Sequence, residues 1–190
     1  MKHIFLLLFT VVFYTATICA QTRSSGIFRT AKDFTTGKME YAILCDSQSH
    51  KIKTDPLFKR NRVIVKHEGK TYKLDKDKVY AVRFCSGAVE RLHQRKVYPI
   101  VNPGEAILIY KVAIPSMGKN QPAQTKWYFS KDAASPIQPL TINNLVQAFP
   151  DNHAFHDTLM AEFKTDADLP KYDAAHKMMR INRLFLNTKK

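Results

Sequence analysis

Arg62-Val63-Ile64-Val65-Lys66-His67-Glu68-Gly69-Lys70-Thr71-Tyr72-Lys73-Leu74 is two β-prone runs split by a two-residue turn. Valine, isoleucine, threonine and tyrosine suit a pleated, half-buried surface. Glu68-Gly69 offers the glycine that a tight hairpin turn favours. The stretch therefore predicts an antiparallel hairpin, and its neighbours continue the pattern. Upstream lies Tyr41-Ala42-Ile43-Leu44-Cys45. Downstream, Tyr80, Val82 and Phe84 alternate with Ala81, Arg83 and Cys85, so one face is expected to be packed more deeply. Val89 to Leu92 and Lys96 to Val101 make a second hairpin pair. Asn102-Pro103-Gly104 is a turn. Ala106 to Val112 is the most apolar run and is expected at the centre of the sheet. Residues 115–124 carry two prolines and a glycine and read as a loop. Lys126-Trp127-Tyr128-Phe129 is expected to close the sheet. Residues 39–130 thus form a β-rich part close to a meander, which favours an antiparallel sheet or partial barrel.

The pattern changes at Ser135-Pro136-Ile137-Gln138-Pro139. Over residues 141–187 the apolar period moves from two towards 3.6. Thr141 caps a first helix ending at Phe149-Pro150. Asp151 is the expected cap of a second, whose Phe155, Leu159 and Phe163 share a face. A third is expected to begin between Asp166 and Pro170, with Ala174, Met178, Ile181 and Phe185 as its apolar stripe. Such helices need a surface to bury against, most simply the preceding sheet. Residues 21–40 are polar and turn-rich, and are expected only to tuck Ile27-Phe28 and Phe34 against the body. The expected class is α+β: an antiparallel sheet or partial barrel followed by two or three C-terminal helices, in one mature domain spanning residues 21–190.

Residues 1–20 read as a secretory leader. Lys2 is the positive start, Ile4 to Tyr14 the apolar run, and Ala20 the small residue at the cleavage position. The apolar run is shorter than the roughly 20 residues a membrane span needs. Cys19 follows the bulky Ile18, so it is expected to leave with the leader and not to carry lipid. No later segment is apolar enough to span a membrane. The expectation is an exported protein: periplasmic, envelope-associated or secreted.

Cys45 and Cys85 then remain in an oxidising compartment, which suggests one disulfide between neighbouring strands. Two buried thiols are the alternative. The hydrophobic fraction of 45% is that of a folded globular chain, and the formal net charge is +14. A basic protein outside the cytoplasm meets anionic partners such as lipid headgroups, phosphorylated glycolipid and acidic polysaccharide. Lys51, Lys53, Lys59, Arg60 and Arg62 would form a positive edge, although charged edges also keep sheets from pairing with one another.

Candidate chemistry is sparse. His153 and His156, with Asp157 beside them, could bring two imidazoles together, but a metal would still need His176 or Glu162. Asp75 and Asp77 alternate with Lys76 and Lys78 in the manner of a solvated turn. Ser86-Gly87 and Ser116 lack a nucleophile elbow. Lys126-Trp127-Tyr128 would suit base or sugar stacking, yet alternation alone sends Trp127 and Phe129 into the core and leaves Tyr128 outside. No catalytic residue, cofactor site or metal site is assigned, no cofactor is expected, and nucleic acid is not expected as a partner.

Several phrases occur together: Gly26-Ile27-Phe28-Arg29-Thr30 with Asp33-Phe34, His50-Lys51-Ile52-Lys53, and Gly69-Lys70-Thr71-Tyr72-Lys73-Leu74 before Val79 to Arg83. Ala148-Phe149-Pro150-Asp151-Asn152, then Tyr172-Asp173 and His176-Lys177, follow. With these phrases the chain resembles an uncharacterised family of short exported proteins from Gram-negative bacteria. The resemblance implies export and a strand-rich body with a helical tail, and no chemistry. The expected function is that of a non-enzymatic envelope or secreted protein with a binding or structural role, its partner an envelope protein or an anionic surface. The alternatives are a metal-dependent or hydrolytic enzyme and a binder of anionic polymers or a lipid surface.

Overall fold

The computed structural model describes residues 23–55, 61–116 and 122–189. The expected leader lies outside them, as do Lys59 and Arg60. The first elements are β1 (Ser24–Phe28), α1 (Ala31–Thr36), β2 (Glu40–Leu44), β3 (Lys51–Lys53), β4 (Arg62–His67) and β5 (Lys70–Asp75). A 3-10 turn at Lys76–Lys78 leads to β6 (Ala81–Arg83), β7 (Val89–His93), β8 (Lys96–Ile100), β9 (Leu108–Ile114), β10 (Gln124–Ser130) and β11 (Gln138–Pro139). The chain ends in α2 (Ile142–Ala148), α3 (His153–Glu162), β12 (Tyr172–Asp173), β13 (Met178–Met179) and α4 (Arg180–Asn187).

The class is α+β, as expected. Eight strands form one antiparallel sheet in the order β11-β10-β9-β8-β7-β6-β1-β2. From β6 to β11 it is a meander. Strands β3, β4 and β5 leave it to form a sheet of their own. The decisive hairpin is β4–β5, with Val65 opposite Tyr72 and His67 opposite Lys70. Glu68 (φ 49°) and Gly69 (φ 73°) are both left-handed, the pair of positive φ values that a two-residue turn needs to follow the strand twist.

The large sheet is buried on both faces. One face carries Phe28, Ala81, Val89, Ile100, Leu108 and Tyr110, covered by Phe34 of α1 and by Ala133. The other is shared by two covers. At the β9–β10 end, Ile107, Ile109 and Phe129 meet the helices through Phe149, Phe155, Leu159 and Phe185. At the β1–β6–β7 end, Ile27, Val82 and Leu92 meet Val63 and Val65 of the small sheet. The alternation read at Tyr80 to Cys85 therefore does not mark a one-sided strand. Ala81 and Val82 are both fully buried, because a cover lies on each side.

Four expectations are corrected. Residues 24–28 are no mere tuck: β1 is an interior strand between β6 and β2. Its serines and glycine conceal it, yet Gly26 is there because a Cβ would lie 2.9 Å from the Glu40 carbonyl oxygen. The apolar run 106–112 lies third from an edge and not at the centre, and β11 lies outside β10. The third helix does not start near Asp166. A 3-10 turn at Asp166–Asp168 and the β12–β13 hairpin intervene, Ala174 is exposed, and α4 begins only at Arg180. Asp173 holds that hairpin by accepting from the N–H groups of Ala175 and His176, a local bond that competes with helix. Finally, Asn152 and not Asp151 caps α3, accepting from Phe155 N at 3.0 Å. Thr141 caps α2 as expected, accepting from Asn144 N at 3.1 Å.

Asn182 fixes α4 to the sheet. Fully buried, it accepts from Ile107 N and donates to Ile107 O, both at 2.8 Å. A side-chain amide thus satisfies the buried Ile107 N–H beside β9, while the Ile107 carbonyl also accepts from Asn102 Nδ2 at 2.8 Å.

Candidate functional site

The small sheet has two unlike faces, set by the strand period of two. Val63, Val65, Ile52 and Tyr72 point to the large sheet. The alternate residues point to solvent. Register places Lys51 opposite Lys66, Lys53 opposite Ile64, Ile64 opposite Lys73, and Arg62 opposite Asp75. All five basic residues are exposed. Among the described residues Asp75 is the one acid on this face, and it pairs with Arg62 at 2.8 Å. Among the described residues Lys51, Lys53, Lys66 and Lys73 form no salt bridge. Like charges directly opposite each other on neighbouring strands destabilise a sheet. Strand spacing of about 4.8 Å makes the patch dense in positive charge. Lys51, Lys53 and Arg62 were legible as an edge in the sequence. Lys66 and Lys73 were not, because only the pairing register sets them beside the others.

At the rim of the inner face, His50 lies across from His67, one residue beyond the Lys51–Lys66 pair. Their ring centroids are 6.0 Å apart. His50 Nε2 meets Ser25 Oγ of β1 at 2.7 Å, and that hydroxyl donates to the Arg83 carbonyl at 2.7 Å. Burial, and then His67, hold His50 below the usual imidazole value, with a backbone contact to Tyr41 opposing them. Tyr41 itself is left-handed, with φ 51°, where the β1–β2 register slips between Ser25 and Ile27. A bulky residue there costs about 1–3 kcal/mol. The bulge places its ring 5.8 Å from His67 and 4.7 Å from Tyr72.

Arg91 is a buried cation, 4% exposed, inside the other face of the large sheet. Its guanidinium donates to Tyr110 Oη at 2.8 Å, Ser130 Oγ at 3.1 Å and Ser135 O at 2.9 Å. It also stacks 4.9 Å from the Tyr80 ring centroid. Burial raises both Tyr80 and Tyr110 above the ordinary phenol value. These bonds fasten the segment after β10 to the sheet, which is a structural use of the charge. A cleft of about 440 Å³ opens beyond it, lined by Tyr98, Tyr128, Val112, Lys76 and Lys96.

The residues singled out in the sequence fare unequally. Cys45 and Cys85 are bridged, with Cα atoms 5.6 Å apart. The strands they follow, β2 and β6, are not neighbours, because β1 runs between them. His153 and His156 stand 5.7 Å apart on α3, but His156 Nε2 is engaged with the Phe149 carbonyl at 2.9 Å. His176 is 3.1 Å from Asp173 in the β12–β13 turn, and Glu162 pairs with Arg180 at 3.0 Å. Among the described residues no three metal-ligating side chains come together. Trp127 packs on the helical core beneath Lys111, so the aromatic run 127–129 serves burial. No helix among the described residues is long and apolar enough to cross a membrane. The chain matches no family model, no curated protein and no solved structure.

Proposed function

We propose that this is a non-enzymatic exported protein that docks on an anionic lipid surface of the envelope through the outer face of β3–β5. The observation that carries the reading is the lysine register: Lys51 against Lys66, and Lys53 and Lys73 flanking Ile64, with Asp75 as the one acid among the described residues of the face. The like-charge cost is removed when anionic headgroups lie over the face. Each lysine near such a surface contributes about 1 kcal/mol. Ammonium groups spread over three strands suit a two-dimensional array of phosphates. A polymer would be better held by a groove. Export is supported by the leader-like residues 1–20, by the resemblance to a Gram-negative exported family, and by the Cys45–Cys85 bridge, which suits an oxidising compartment.

The test is co-sedimentation with vesicles containing phosphatidylglycerol, with pure phosphatidylcholine vesicles as the control. Binding is expected to the anionic vesicles alone, to fall steeply with salt, and to be lost when Lys53 and Lys73 are both changed to Glu. Equal binding to neutral vesicles, or an unaffected double variant, would overturn it. Preference for a soluble acidic polysaccharide over the vesicles would replace the surface by a polymer.

A further inference from the structure

The His50–His67 pair carries two buried ring nitrogens without hydrogen-bond partners. Ser25 Oγ has one proton, and it is directed at the Arg83 carbonyl. The contact with His50 must therefore be an N–H donated by Nε2. Neutral His50 then keeps a bare lone pair on Nδ1, and that atom is buried with no hydrogen-bond partner. His67 is held more loosely. Its Nε2 faces the Glu68 carboxylate at 3.7 Å, and its buried Nδ1 has no partner. His50 is thus oriented by Ser25 Oγ, with the Tyr41 backbone also against its ring, and each histidine presents one buried Nδ1 with no hydrogen-bond partner. Metal-binding histidines are held in this way by their outer partners.

The spacing agrees. Two imidazoles bound through nitrogen to one ion at 2.0–2.1 Å place their centroids roughly 5–6.5 Å apart. These are 6.0 Å apart, with ring planes at 64°. Three further features bear on the site. His67 ends β4 and His50 immediately precedes β3, one residue beyond the paired Lys51 and Lys66, so the strand register brings the two rings together. The neighbouring Tyr41 is held in a strained conformation. Leaving two buried imidazole nitrogens unsatisfied is itself costly.

We infer that His50 and His67 bind one divalent late transition ion through their Nδ1 atoms. Imidazole suits copper and zinc, and affinity among divalent ions peaks at copper. Copper(II) is therefore held more tightly than zinc(II), and magnesium is not held. Among the described residues no third histidine, cysteine or carboxylate joins the pair, so water completes the coordination.

The experiment is calorimetric titration of tag-free, disulfide-bonded protein with copper(II), zinc(II) and magnesium chlorides, with the copper complex read by electron paramagnetic resonance. One copper per chain is expected, with a spectrum showing two nitrogen ligands. His67→Ala and His50→Gln should each weaken copper at least tenfold. Ser25→Ala should weaken it by about 10-fold or more, through loss of orientation. The double variant His153→Ala, His156→Ala should bind like the parent. Far-ultraviolet circular dichroism of each metal-free variant separates lost folding from lost binding. If His50→Gln does not fold, His67→Ala decides, since it sits at a strand end. No copper uptake, uptake that survives both substitutions, or loss in the His153/His156 variant alone would each overturn the inference.

Discussion

Two covers lie on the same face of the large sheet, and they hold it differently. The helical cover buries fourteen residues in one cluster, five of them phenylalanines. The small sheet's cluster holds six, all aliphatic, among the described residues. Burial of a large side chain is worth roughly 1.5–3 kcal/mol, so the helical end is the stronger by apolar contact alone. The sheet end instead has a covalent tie, because Cys45 precedes the loop into β3 and is joined to Cys85 after β6. The exposed lysine face and the half-buried histidine pair also lie there. The helices therefore supply the larger share of apolar stability, and the small sheet, held by less apolar contact, carries the face proposed to dock.

The sharpest way to break this contrast is to cut the helical core. Phe155 is fully buried between Phe149 and Phe185, with ring centroids 5.4 and 5.5 Å away. Phe155→Ala should cost about 3–5 kcal/mol by urea unfolding. A cost below about 1 kcal/mol would mean the helices are an ornament on a self-sufficient sheet.

Next in size is the disulfide. It closes a loop of sequence separation 40, worth about 4 kcal/mol at most in the chain-entropy picture and often less in practice. The double variant Cys45→Ser, Cys85→Ser should lose up to that amount. Hydrogen exchange should rise in β2 and β3–β5 more than in α2–α4. A uniform rise across both covers would erase the distinction between them.

The smallest effect is acid sensitivity of the helical end. Asp173 is held below the usual carboxylate value, first by the His176 side chain and then by the His176 backbone N–H. A carboxyl whose folded value is depressed adds stability above its ordinary value of 3.8. That contribution is lost as pH falls through the lower, folded value. Amide exchange at Ala175 and His176 should therefore accelerate as pH falls below about 3.8, beyond the intrinsic trend, and Asp173→Asn should remove the step. Asp168, held down by Lys171 and then Thr165, should act in the same direction on the turn before it.

Much of the architecture was legible because its signals are local. The β4–β5 turn, the Thr141 cap and the Phe155–Leu159–Phe163 face each lie within a few residues, where turn chemistry and periodicity act. Strand β1 was missed because Ser24, Ser25 and Gly26 have low strand propensity. Their place follows from the partners β6 and β2, not from their own preference. The third helix was drawn too long because Met178 fits a helical period, whereas the Asp173 bonds that fold the hairpin are set by geometry and not by spacing. The two histidine pairs show the same divide. His153 and His156 were visible at helical spacing, and one of them is engaged by a backbone carbonyl. His50 and His67 are seventeen positions apart in the chain and invisible as a pair.

From the sequence alone came the α+β class, a β-rich part ahead of a helical tail, a cysteine pair available for bridging and the excess of positive charge. Each rests on composition or short-range pattern. Tertiary structure alone decided which lysines share a face, which cover each strand meets, and which imidazole nitrogens are left uncommitted. Those depend on strand register, and a shift of one residue would turn every side chain to the opposite face.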